Sequence, residues 1–299
     1  MQKVSVIIPN YNYGRFLRQA IQSALDQSLK PHEIIVVDDG STDDSMEILR
    51  SFGDSIIMIE QSNQGVAAAR NKGSENATGD FLAFLDSDDF WHPNKLEKQM
   101  LMFPSDAEIG FVHCGITNID ENGVLLDDYL EGEEGWVADG LLKLQAVVIA
   151  TTIIVKGKLF TEIGGYDTNR DLHPSEDWDL CYRLSHESKL GFVREPLMYY
   201  RHHGRGGHTN IARMERAMLI AFEKAFSDPA ENIQRVRRKA YGNLYLVIAG
   251  SFYRAGYIGK SIISALKSVF QNPLNAARLV GFPFRATKRT LKKSLFDVT

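Results

Sequence analysis

Three acidic groups stand out in this 299-residue chain. Asp38-Asp39 closes the apolar run Glu33–Val37, Asp86-Ser87-Asp88-Asp89 closes Phe81–Leu85, and Glu176-Asp177-Trp178-Asp179 opens a helical stretch. Carboxylates gathered at a strand end repel one another, so such a cluster calls for a cation or for ligand donors. Any one of these acids alone could instead cap a helix or close an Asx turn. Two clusters on one sheet edge favour a ligand, because open α/β sheets bind ligands beyond the carboxyl ends of their strands. The triplet Asp-x-Asp is a weak signal by itself and occurs twice. Its position distinguishes the copies: Asp86-Ser87-Asp88 ends a strand, whereas Asp177-Trp178-Asp179 starts a helix.

The elements that position these acids alternate through the first hundred residues. Strand-like runs at Lys3–Ile8, Glu33–Val37, Ser55–Ile59 and Phe81–Leu85 are short and almost wholly apolar, as parallel strands covered on both faces should be. Helical patterns at Arg15–Asp26, Thr42–Phe52 and Gly65–Ala77 separate them, and Pro93 fits the first turn of another, Asn94–Met102. Ser41-Thr42-Asp43-Asp44 reads as a capping start for the second helix. The order predicts an α/β sheet with right-handed crossovers. Further on, Ile109–Ile119, Val147–Val155 and Gly191–Tyr200 read as strands, Glu176–Ser188 as a helix and Asp127–Gly140 as an acidic loop. After Gly207 the pattern is helical: Ala212–Phe226, Ile233–Ala255, Ile258–Phe270 and a segment beyond Pro273. We place the domain boundary at 210, giving a catalytic domain over 1–210 and a basic helical region over 211–299.

Composition excludes several classes. With 44% apolar and 24% charged residues the chain is neither disordered nor collagen-like, and its two cysteines supply no disulfide framework. No apolar stretch approaches the ~20 residues of a spanning helix, and Met1 runs almost directly into a strand without a signal sequence. These features lead to the expectation of a cytoplasmic protein. A dehydrogenase would need G-x-G-x-x-G after the first strand, where this chain has Pro9-Asn10-Tyr11-Asn12-Tyr13-Gly14. A Walker lysine loop is missing too, as is the glycine-rich basic loop of sugar-nucleotide pyrophosphorylases.

Val4–Asn12, Val36–Asp43, Asn63–Gly73, Gly79–Asp89 with Trp91 and Pro93, and Ser175–Arg183 together resemble glycosyltransferase family 2, in order and with family-like spacing over residues 3–205. The resemblance implies the GT-A fold, a Rossmann-like mixed α/β sheet, and an inverting reaction with a nucleotide-sugar donor, a UDP-sugar first. It implies that Pro9 and Tyr11 hold the base, that Asp39 accepts from a ring N–H, and that Asn63 and Arg70 reach the ribose or diphosphate. Asp86 and Asp88 would hold Mg²⁺ or Mn²⁺, with His203 of the Tyr200-Arg201-His202-His203 element near the metal. Asp177 matches the catalytic base, Glu176 supports it, and Trp178 lines the acceptor site. The acceptor would be a saccharide or lipid-linked saccharide, as in cell-surface polysaccharide biosynthesis. The Gln-x-x-Arg-Trp motif of processive members is missing, which favours one sugar per event. Two other readings share the nucleotide-binding topology: an inactive sugar-nucleotide-binding module and a nucleotidyltransferase.

Charge is unevenly distributed. Residues 1–234 carry a net −16, whereas 235–299 hold 13 Lys/Arg and a single acid, Asp297, for +12. On a helical projection Arg285, Lys288, Arg289, Lys292 and Lys293 share one side, beside an apolar stripe of Phe284, Leu291 and Leu295. Such a tail reads as an element for an anionic membrane surface, peripheral on its inner face, or as a basic face docked on the acidic domain. No nucleic-acid module is recognisable.

Overall fold

The computed structural model describes residues 2–144, 149–203 and 210–280. Alternate residues of its first strands feed two opposite layers. β1 (Val4–Asn10) pairs in parallel with β2 (Glu33–Asp38) on one side and with β4 (Phe81–Phe84) on the other, and β2 pairs in parallel with β3 (Ile57–Glu60). Val4, Val6, Ile8, Ile34 and Val36 pack with Leu17 and Ile21 of α1 (Gly14–Leu25) and Leu49 of α2 (Ser45–Arg50). Ile35 and Val37 turn the other way, onto Ala69 of α3 (Val66–Glu75). Each fully buried side chain of this kind contributes roughly 1.5–3 kcal/mol. The fit between α3 and β1 depends on Gly73, where a Cβ would stand 2.6 Å from Ile7 Cγ2.

The sheet then becomes mixed. Its order is β3-β2-β1-β4-β8-β6-β9-β5, where β5 is Phe90–Trp91, β6 Ile109–Ile119, β8 Ile154–Lys156 and β9 Lys189–Arg201. β8 runs antiparallel to both β4 and β6, β9 is parallel to β6, and β5 is antiparallel to β9. Between β5 and β6, α4 (Lys95–Met100) covers the sheet. Gln99 Nε2 on its buried face donates to the carbonyls of Val112 (3.0 Å) and Thr152 (2.9 Å). The helices α5 (Ala138–Leu142), α6 (Gly157–Glu162) and α7 (Glu176–Glu187) follow, the last opening on the acidic motif.

Several expectations need correction. The acidic stretch read as a loop over Asp127–Gly140 contains most of a strand, β7 (Leu125–Tyr129), paired antiparallel with β6. It has no alternating apolar pattern because its carboxylates make the cross-strand contacts: Thr117 Oγ1 donates to Asp128 (2.6 Å) and Asn118 Nδ2 to Asp127 (2.8 Å). Of the expected strand Val147–Val155, residues 147 and 148 lie outside the described residues; among the rest, Ala150–Thr152 is a 3₁₀ turn and pairing starts at Ile154. β3 is a largely exposed edge strand rather than one covered on both faces. The helix expected from Thr42 starts at Ser45 without a side-chain cap. Thr42 and Asp43 instead donate their backbone N–H groups to Asn12 Oδ1, at 2.7 and 3.3 Å, and so tie the loop after β1 to the loop after β2.

By its internal contacts the chain divides into two compact units, Met1–Leu141 with Ala146–Thr209, and Leu142–Gln145 with Asn210–Thr299. In the second, α8 (Ile211–Ala225), α9 (Glu231–Arg254), α10 (Ile258–Gln271) and α11 (Asn275–Val280) follow one another. None of the described helices is long and apolar enough to cross a membrane. The basic tail, Phe284 to Leu295, lies outside the described residues.

Candidate active site

Parallel strands end at a common edge, so whatever follows β1, β2 and β4 converges there. After β2, Asp38 is buried, with one bond to each oxygen: its Oδ1 accepts from Asn10 Nδ2 (2.8 Å) and its Oδ2 from the Ser41 N–H (2.8 Å), which closes the turn. Asp39, also buried, gathers the 61–65 loop. Gln61 Nε2 (2.7 Å) and the N–H groups of Gln64 (2.8 Å) and Gly65 (2.8 Å) all donate to it. A carboxylate offers about four acceptor positions, so about one is left for a ligand N–H. The two loops meet at Gly40, whose φ of 82° and the Asn63 nitrogen, 3.1 Å from a would-be Cβ, both require glycine.

Of the two residues expected at a base, Tyr11 is 46% exposed, whereas Pro9 is buried inside β1 opposite Val37. Only the tyrosine ring is open to stacking. Asn63 is exposed, and its side-chain oxygen accepts from Arg170, a partner that sequence reading had not found.

The centre of the site is Arg70. Expected at the ribose or diphosphate of a donor, it is 2% exposed and engaged by carboxylates. Its Nη2 donates to Asp86 Oδ1 (2.7 Å), and its Nη1 to Asp177 Oδ1 (3.0 Å) and Glu176 Oε1 (3.4 Å). The guanidinium carbon lies 5.0 Å from the centre of the Tyr166 ring, and Nε finds no acceptor among the described residues. One cation thus joins the acid after β4 to the first turn of α7, whose Asp177 lies 107 residues beyond the arginine in sequence.

One cation does not balance three carboxylates. Burial, with Glu176 and Asp86 adding to it, pushes Asp177 up to about 7 against the pull of Arg70. Burial also raises Asp86, which Arg70 partly offsets and Asp88 reinforces. For Glu176 burial is outweighed by the hydrogen bond from His173 (Nδ1 3.1 Å away) and by Arg70, so its carboxyl is held below its ordinary value. The second Asp177 oxygen accepts from the Ala150 N–H at 3.0 Å. That leaves roughly two acceptor positions on this carboxylate.

Asp88 and Asp89 belong to a neighbouring knot. Asp88 Oδ2 lies 2.8 Å from His203 Nε2, and the His203 ring packs between Tyr13 (5.4 Å) and Phe16 (5.5 Å). Asp89 is buried and pushed well above its ordinary range by burial, then by Asp88 and Asp86, although the Arg201 N–H donates to it at 2.9 Å. Arg201 anchors the loop. Its Nε donates to the Asp88 carbonyl (2.9 Å), its Nη1 to the Glu121 carbonyl (3.2 Å) and its Nη2 to Gln19 Oε1 (2.7 Å). Sequence reading placed Arg201 in a motif but gave it no task; the Tyr-Arg-x-His pattern was the available signal. It also missed His173, detectable only as a histidine three residues ahead of Glu176. Trp178 stacks on Tyr182 (5.4 Å, 5° between planes), and its Nε1 donates to the Leu141 carbonyl (3.3 Å).

Asp86, Asp88 and His203 do not make a ready three-ligand metal cage, and no other group of three such side chains does so among the described residues. Their oxygens still suit a hard dication that is bound through one or two carboxylates and completes its shell with substrate phosphates and water.

A family model described as glycosyl transferase family 2 matches residues 5–130. An uncharacterised glycosyltransferase of Rickettsia typhi is 32% identical over 85% of this chain and 81% of its own length. A fragment of Staphylococcus aureus TarS, solved in complex with UDP-GlcNAc, superposes with a TM-score of 0.62 at 15% identity, covering 91% of this chain and 92% of that one. A mannosyltransferase from Pyrobaculum calidifontis, solved with GDP-Man and Mn²⁺, gives 0.64 at 19% identity over 97% and 80%. These neighbours share the GT-A fold, and the sequence relatives carry the family: this chain belongs to glycosyltransferase family 2.

Proposed function

We propose that the chain transfers one sugar per event from a nucleotide-sugar, a UDP-sugar first, to a saccharide or lipid-linked saccharide of cell-surface polysaccharide synthesis, inverting the anomeric centre. The observation that carries this reading is the Arg70 bridge, which sets Asp86 and Asp177 on one guanidinium. Tyr11 stacks on the base and Asp39 uses its remaining acceptor position for a ring N–H. Asn63, on the loop that Asp39 gathers, faces the ribose. Asp177 accepts the proton of the acceptor hydroxyl as that oxygen bonds to the anomeric carbon. The bond from this carbon to the diphosphate breaks on the opposite face, and its electron pair leaves with the nucleoside diphosphate. Glu176 and Arg70 hold Asp177 in place, and Trp178 lines the acceptor side. Asp86 and Asp88, with His203 orienting Asp88, would hold Mg²⁺ or Mn²⁺. When bound, such an ion supplies positive charge to the departing diphosphate.

The TarS and P. calidifontis complexes support a nucleotide-sugar donor and a divalent ion of this kind. The excess of basic residues over 235–299 supports a cytoplasmic enzyme peripheral at the inner membrane face. Calorimetry of UDP with and without Mn²⁺ tests the donor side. Binding should tighten with Mn²⁺ in the native chain and lose that gain in Asp88→Asn. Metal-independent binding, or none, would overturn it. Release of pyrophosphate from a nucleoside triphosphate and a sugar phosphate would identify a nucleotidyltransferase instead.

A further inference from the structure

Helix α10 is built inside out. Ser261, Ser264 and Ser268 are its buried residues, and two of them bond to α9: Ser268 Oγ donates to the Gly242 carbonyl (2.7 Å) and Ser261 Oγ to the Ala249 carbonyl (2.9 Å). The large apolar residues point away. Ile258, Ile262, Ile263, Leu266 and Phe270 are all at least half exposed, Leu266 at 66% and Phe270 at 76%, and Leu274 just beyond the helix reaches 80%. At about 100° per residue the five fall within an arc of about 140°, and the serines lie on the opposite side. A contiguous apolar face of this size on a described helix marks an interaction surface.

Charge decides the occupant. Between residues 235 and 280 there are eight Lys/Arg and no carboxylate. Lys260 and Lys267 are exposed and, on the same projection, lie within about 60° of the apolar arc. Their ammonium groups lie over Tyr257 (5.6 Å) and Tyr245 (5.3 Å) respectively. A second copy meeting this face would set like charge against like, whereas an anionic leaflet complements it. At 14 residues α10 is about 21 Å long, too short for the ~30 Å hydrocarbon core. It can therefore lie only along the surface, where exposed Tyr253 and Tyr257 suit the headgroup level.

We infer that the apolar face of α10, with its flanking lysines, docks on an anionic phospholipid leaflet. The docking rests on described residues of the second unit, independently of the 281–299 tail and of the donor chemistry. Co-sedimentation of the full chain with phosphatidylcholine vesicles, with and without phosphatidylglycerol, tests it. The native chain should bind the anionic vesicles about tenfold or more tighter than the neutral ones, because each cation near the surface is worth about fivefold. Ile262→Asn/Leu266→Gln/Phe270→Ser should lose binding about tenfold while keeping its melting temperature, because the altered side chains face solvent. Lys260→Glu/Lys267→Glu should lose only the preference for anionic lipid. Lys288→Gln/Lys292→Gln/Lys293→Gln, which leaves α10 intact, should keep the contribution sensitive to the α10 changes. The inference is overturned if the native chain ignores anionic vesicles, or if the tail variant alone loses binding. It is equally overturned if sedimentation velocity shows a dimer that the α10 changes split, since the face would then belong to a second copy.

Discussion

Replacing Arg70 with methionine tests the electrostatic centre of the site. The substitution keeps an unbranched apolar stem against Tyr166 and removes the cation that Asp86, Asp177 and Glu176 share. Removing one partner of a buried ion pair typically costs about 3–5 kcal/mol. Asp86 and Asp177 keep 25% and 22% of their side chains in contact with water, and Glu176 retains His173, so the lower end applies here, about 3 kcal/mol. For a unit of this size that corresponds to a fall in Tm of roughly 6–12 °C. The pH dependence is the sharper readout. Without the guanidinium Asp86 and Asp177 titrate still higher in the folded state than in the unfolded one, and Glu176 loses part of what holds it down. The folded state then keeps protons that the unfolded chain releases, and stability falls as pH rises through and above the ordinary carboxylate range. Thermal melts at pH 5 and pH 8 should therefore show a larger deficit at pH 8. Arg70→Lys should recover only part of it, because one ammonium cannot bridge two carboxylates as a fork does. A fall of less than about 2 °C at pH 8, or a deficit independent of pH, would refute the reasoning.

Other consequences follow from individual side chains. Lys95 is fully buried on α4, its Nζ has no hydrogen-bond acceptor among the described residues and lies 4.1 Å from the Trp91 ring centre, and burial lowers it to about 8 from 10.5. Lys95→Met should stabilise the fold by about 3 kcal/mol at pH 7. In the native chain this deficit lessens as pH climbs from about 8 to 10.5, so the gain should disappear over that window in chemical denaturation. Tyr11→Ala should weaken nucleotide binding by about 1–2 kcal/mol, the scale of a lost base stack, with an unchanged melting temperature; an unchanged Kd would remove Tyr11 from the base site. With Asp177 raised to about 7, kcat/KM should increase with pH to a plateau, with its midpoint near that value, because the base acts unprotonated. The same raised pKa has the opposite sign for stability, which declines from pH 4 toward 7 in the native chain but not through this residue in Asp177→Asn.

What could be read in the sequence follows from which interactions are local. β1, β2 and β4 announce themselves because burial on both faces demands unbroken apolar runs, and the acids after them fall at strand ends by that fact alone. The Asp177 region was legible through its helix start and its family pattern. β7 was not, because its pairing is made by Asp127 and Asp128 with β6 rather than by apolar alternation. Arg70 looks like any helical arginine in sequence; its partners are set by how α3, the end of β4 and α7 meet in space. Arg201 is hidden for the same reason, since its bonds span 80 to 182 residues.

Asp177 is the group proposed to take the acceptor's proton. The direct measurement pairs transfer rate with donor affinity in Asp177→Asn, using the donor that a nucleotide-sugar panel selects, in the presence of Mn²⁺. Transfer should drop by about 10²–10⁴, the worth of a positioned general base, while the donor Kd stays within about twofold of the native value. Transfer at the native rate would contradict the assignment, and so would a loss of donor binding that accounts for the whole effect.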